Sequence, residues 1–165
     1  MRAKGDSRKV SAPAGDWAVA QTNFFKSSCY GASAMEFVLS EKTLQEIDRV
    51  LDEDLLSSGA SCAMIVDRSG YLIANRGDPS DMDVVALAAL SAANYGVTEE
   101  IARLVGEDNF SLLFHKGKNE SIHYTKIGED FFLITLFAKD VSLGLMRLKT
   151  AKVKTHLTPL LREDI

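Results

Sequence analysis

Cysteine, proline, histidine and tryptophan are all scarce here, with two, three, three and one of them in 165 residues. Cys29 and Cys62 lie far apart, the second inside an apolar run, so neither a disulfide framework nor a zinc-type spacing is present. A reducing, cytoplasmic setting is expected. His115 and His123 fall on neighbouring expected strands, but no third ligand follows at metal spacing, so no metal site is expected. Cys62 reads as core, and no serine or lysine sits in a nucleophile motif. Gly117-Lys118 ends like a phosphate loop, yet the earlier glycine at Walker spacing is missing and the dipeptide joins two strands. The expectation is no catalytic residue and no cofactor.

Positive charge is also in short supply. A net charge of -4 and a pI near 5.4 give no basic footprint for nucleic acid. The basic residues near the N-terminus are not followed by an apolar segment, and no later uncharged run reaches the length of a membrane span. What the chain does have, 46% hydrophobic and 25% charged residues, is the composition of a globular domain.

Residues 1–34 mix Arg2, Lys4, Arg8 and Lys9 with small residues and Pro13, and their aromatics follow no period. This segment reads either as a disordered tail or as a mis-called start, with the domain opening at Met35. From Ser40, Leu44, Ile47, Leu51 and Leu55 recur at helical spacing, with Ser40 as cap and Gly59 as terminator. Residues 61–66 and 71–74 form a hairpin turning at Gly70. A long helix capped by Ser80 or Asp81 and closed by Gly106 follows. Phe110 to His115, Ser121 to Ile127 and Phe131 to Phe137 read as a meander of strands. A last helix starts near Ser142 and is limited by Pro159. Its expected inward residues are Leu145, Met146, Leu148, Val153 and Leu157, with Arg147, Lys149, Lys152 and Lys154 left to water or to an acidic partner. The order α-β-β-α-β-β-β-α implies an α+β fold, one five-stranded antiparallel sheet between helices, over residues 35–165.

The long helix is the unusual element. From Val84 to Thr98 it has no charge, and Val84 to Leu90 would be apolar on every side, so it needs two partners. One is the domain's own sheet, and the other is a second chain unless a monomer buries the helix completely. Ala88, Ala89, Ala92, Ala93 and Gly96 are expected to keep the other side narrow enough for a second backbone.

Four short stretches, in this order and spacing, carry a resemblance: Ile65-Val66-Asp67-Arg68-Ser69-Gly70, Leu104-Val105-Gly106-Glu107-Asp108-Asn109-Phe110, Phe114-His115-Lys116-Gly117 and Ser142-Leu143-Gly144-Leu145-Met146-Arg147. Over about Glu41 to Leu157 the chain resembles the roadblock family, and within it the bacterial MglB-type proteins. The resemblance implies a homodimer through the long helix and third strand, here Val85, Ala88, Ala92, Phe110, Leu112 and Phe114. It further implies binding of a small Ras-like, MglA-type GTPase and stimulation of GTP hydrolysis, in the setting of cell polarity and motility. No arginine finger is implied; the GTPase's own switch residues are rearranged instead. The outward positions Ala89, Ala93, Gly96 and Glu100 share one helical face and are the expected GTPase-binding residues. Val97-Thr98-Glu99-Glu100 departs from a helix turn that is usually small and uncharged in MglB-like proteins. Either the groove differs or the GTPase presents a more basic surface. Arg68, Arg76 and Arg103 are the arginines that could reach a partner.

A second reading is a ligand-sensing or scaffold module of similar plan, without GTPase activation. Such a module needs polar groups converging in an apolar cavity. Met64, Val66, Leu133, Ile134 and Leu136 are instead expected to fill the interior, which favours the adaptor.

Overall fold

The computed structural model describes residues 39–78 and 82–163, all within one compact unit, Phe37–Ile165. The tail reading for residues 1–34 and the caps Ser80 and Asp81 lie outside the described residues.

Helix α1 (Glu41–Val50) starts where Ser40 Oγ accepts the Thr43 N–H at 3.1 Å, and it runs on through a π turn, Leu51–Leu55, and a 3-10 turn, Leu56–Ser58. Strands β1 (Ala60–Asp67) and β2 (Leu72–Gly77) form the first hairpin. Gly70 turns it with φ 90°, and a Cβ there would lie 2.8 Å from the Ala89 Cα, so glycine allows both the turn and its seating on the next helix. Helix α2 (Val84–Leu104) begins at Asp83, whose carboxylate accepts the Ala86 N–H at 2.9 Å. At its other end the Glu107 N–H reaches the Ala102 carbonyl and the Gly106 N–H that of Arg103, a Schellman closure that needs the left-handed φ of 84° at Gly106.

Strands β3 (Leu113–Lys116), β4 (Glu120–Ile127) and β5 (Phe131–Ala138) form the meander, and helix α3 (Leu143–Glu163) ends the described chain. The sheet is five-stranded and antiparallel in the order β2-β1-β5-β4-β3. Alternation along each strand divides the core between its two faces. Ile65, Leu133 and Phe137 pack under α1 and α3, whereas Met64, Val66 and Ile134 pack under α2. Met64, Val66, Leu133, Ile134 and Leu136 are all buried, so the interior is filled with side chains.

Three boundaries or faces differ from the sequence expectation. Strand β3 begins at Leu113, not Phe110, because the chain must first climb from the α2 layer to the sheet edge, where Leu113 meets Tyr124. Leu145 and Leu148 are exposed, because the stripe that meets the sheet is Met146, Thr150, Val153, Leu157 and Leu161. Thr150 fits it by donating its hydroxyl to the Arg147 carbonyl. Finally, α3 passes through Pro159. The ring removes one helical N–H, but Leu160 and Leu161 beyond it pack into the core and hold the last turn.

Candidate functional site

Helix α2 has little amphipathic bias, so packing decides which side it buries. Ala88, Ser91, Ala92, Tyr95 and Ala102 face the sheet, and Tyr95 lies over Phe132 with ring centroids 4.3 Å apart. At 100° per residue the opposite side carries Ala86, Leu90, Ala93, Val97, Ile101 and Leu104. Leu90, Val97, Ile101 and Leu104 are 69%, 59%, 46% and 86% exposed, and Val105 and Phe110, past the helix end, are exposed as well. Of the small residues expected to keep the outer side narrow, Ala89 and Ala93 are exposed and Gly96 is half-exposed, whereas Ala88 and Ala92 face the sheet, and large aliphatic side chains stand among the outward ones. Ala88, Ala92 and Ala102 let the helix lie close to its own sheet.

The six residues expected at a dimer interface separate accordingly. Val85, Phe110 and Leu112 are exposed. Ala88 and Ala92 are buried against the protomer's own sheet, in contact with its core and out of reach of a second chain. Phe114 is half-buried on the other face of the sheet, packed on the α1 and α3 side with its ring 6.1 Å from that of Phe137. Strand alternation is the cause: Leu113, not Phe114, points toward the α2 face.

Of the residues expected to meet a GTPase, Ala89, Ala93 and Glu100 are exposed and Gly96 is half-exposed, along one flank of the same outer surface. Ala89 also lies under the Gly70 turn. A Cβ at Gly96 would meet nothing within 4 Å. Glycine inside a helix costs about 1 kcal/mol relative to alanine, and nothing in the protomer's packing requires it there.

The charged turn that departs from the MglB-like pattern is divided in two. Glu99 turns inward, accepting Arg68 Nη2 at 2.8 Å and Lys126 Nζ at 3.3 Å, while Lys126 also reaches Glu129 at 2.9 Å. Arg68 donates to the Glu129 carbonyl at 3.1 Å. This network ties α2 to both hairpins. Glu100 points to solvent and pairs only locally with Arg103. Arg76 is held by Asp52 on the turn after α1. Arg68, Arg76 and Arg103 therefore each have an intramolecular carboxylate, a use that single-residue inspection of the sequence could not reveal.

His115 and His123 do not converge. His115 packs edge-on against Tyr124 on the α2 side, whereas His123 is buried on the α3 side. Burial, with the nearby Arg147 charge, lowers the His123 pKa to about 4. Burial also raises the Cys62 thiol to about 11, so it stays protonated, 3.1 Å from the Asn75 amide oxygen. Among the described residues no group of three histidine, cysteine or acidic side chains is placed to hold a metal ion, and no helix is long and apolar enough to cross a membrane.

The family model for the Roadblock/LC7 domain matches residues 46–137. Among solved structures, Myxococcus xanthus MglB agrees with a TM-score of 0.71 at 31% identity, covering 78% of this chain and 96% of that one. The gliding protein MglB of Thermus thermophilus gives 0.71 at 27% identity, covering 78% and 97%. A structure described as MglB with tetrameric arrangement gives 0.74 at 27%, covering 79% and 98%. An uncharacterized protein of Aquifex aeolicus (strain VF5) is 25% identical over 116 residues, 69% of this chain and 72% of its own length. The chain belongs to the Roadblock/LC7 family and resembles its MglB-type members in sequence and in fold.

Proposed function

We propose that the chain forms a homodimer through the outer face of α2 and the neighbouring sheet edge, and that this dimer binds a small Ras-like, MglA-type GTPase and stimulates its GTP hydrolysis. The observation that carries the reading is the exposed apolar stripe Leu90, Val97, Ile101 and Leu104, directly opposite the helix's buried side. Contiguous apolar surface of this kind marks an interaction site. Phe110 and Leu112 extend it toward β3, an edge strand whose free side can pair with another chain. Likeness to the MglB structures supports a partner of the GTPase class, and no nucleophile or acid–base pair in the described residues argues for chemistry of the protein's own.

In this reading the aliphatic stripe joins the protomers, and the flank of Ala89, Ala93, Gly96 and Glu100 forms the GTPase platform. Gly96 has its reason there: the absent side chain lets the switch region approach closely. An interface of ordinary size buries about 800 Å² per partner, and light scattering at micromolar concentration should give the mass of a dimer. Leu104→Asp should shift that mass toward the monomer, because a carboxylate would have to be desolvated without a partner. A parent protein of monomer mass would contradict the proposal.

A further inference from the structure

We infer that the exposed face of α3 docks on an anionic lipid bilayer, peripherally and without spanning it. Helix α3 contains Arg147, Lys149, Lys152, Lys154 and Arg162 and a single acidic residue, its last, Glu163, although the chain as a whole carries -4. Positive charge is therefore concentrated on one element of an acidic protein. Lys152 is neutralised by Asp54 at 2.6 Å, and His156 meets Glu46 at 3.0 Å, so α1 supplies carboxylates to one side of α3. Among the described residues Arg147, Lys149 and Lys154 have no carboxylate within ion-pair distance, and Arg162 has none either but lies near the Glu129 charge. At 100° per residue Arg147, Lys154 and Arg162 fall within roughly a quarter turn of one another, on the flank away from Lys152 and His156.

Beside that flank the helix exposes apolar groups. Leu148 is 69% and Leu145 39% exposed, and Leu148, Ala151 and Pro159 lie opposite the buried stripe of Met146, Val153, Leu157 and Leu161. Leucines at the crest of a helix with cations along its flank suit a bilayer, because the leucines enter the headgroup boundary while the cations meet lipid phosphates. An acidic peptide held by the cations alone would leave the exposed Leu145 and Leu148 without a role. Helix α3 packs on the sheet face opposite α2. Docking there leaves the α2 stripe uncovered, and the inference does not rest on the GTPase reading.

The test is vesicle flotation of the full chain with phosphatidylcholine alone and with about a third of the lipid replaced by phosphatidylglycerol. The protein should float only with the anionic vesicles, and less as salt rises. Arg147→Glu combined with Lys154→Glu should weaken binding roughly tenfold or more. Leu148→Ser should weaken it while keeping the salt dependence. Lys42→Glu, an exposed charge on α1, should leave it unchanged, and matched melting curves would show that every variant folds. Three outcomes would overturn the inference. One is no preference for anionic vesicles. Another is undiminished binding by the double reversal, which would move the contact to another basic stretch such as Arg2 to Lys9. The third is retention on polyglutamate without binding to vesicles, which would identify an acidic protein as the partner.

Discussion

His123 contributes a pH response to this fold through its burial. Its imidazole is buried and feels the Arg147 charge, and both effects favour the neutral form. Its folded pKa, about 4, lies below the ordinary 6.5, so between those values the unfolded chain binds the proton more tightly. Stability should fall as pH drops through this window, by up to about 3 kcal/mol from this group. Urea unfolding at pH 7 and pH 4.5 checks this. His123→Gln should lose distinctly less stability between the two pH values than the parent, and equal losses would show that other groups dominate. Cys62 was legible as core because an apolar run surrounded it. The neutral state of His123 was not, because it depends on which sheet face α3 covers.

At the scale of elements, the Glu99 network connects sequence to placement. Glu99 is 12% exposed and holds Arg68 and Lys126, whereas Glu100, one residue on, is 63% exposed and pairs only with Arg103. Replacing Glu99 by Gln leaves two cations short of a partner beside a partly buried site and should cost roughly 1–3 kcal/mol. Glu100→Gln should cost roughly 0–0.5 kcal/mol, as exposed pairs do. Thermal melts of both variants separate the two; equal effects would remove the network from the account of how α2 is held. Element types and their order were legible because strand alternation and helical spacing are local patterns. The orientation of α2 was not, because a helix apolar all round carries no sign of its buried side. On α3 the polar Thr150 interrupts the true buried stripe, and Leu145 and Leu148 imitate a neighbouring one.

For the whole molecule, the sheet with two helices on one face and one on the other has most of its core within residues 47–161. Residues 1–34 show no periodic apolar face in sequence, and ordering them would cost conformational entropy without matching burial. Their deletion is therefore expected to leave the melting temperature nearly unchanged, and a drop of about ten degrees or more, which corresponds to more than 1 kcal/mol in a domain of this size, would show that they pack. The antiparallel sheet and the apolar character of both sides of α2 could be read from sequence. Which of the residues expected at an interface are exposed could not, because Ala88 and Phe114 differ from Val85 and Leu112 only in direction.

The proposed regulation of a GTPase by the outer surface of α2 is tested most directly by single-turnover GTP hydrolysis with the cognate MglA-type protein. The parent dimer should accelerate hydrolysis. Gly96→Arg places a bulky charge where the protomer offers open space, so it should remain a dimer by sedimentation while losing most of the acceleration, since the partner would have to desolvate the new charge. A Gly96→Arg dimer that stimulates hydrolysis as well as the parent would contradict the claim and move the functional surface off this helix.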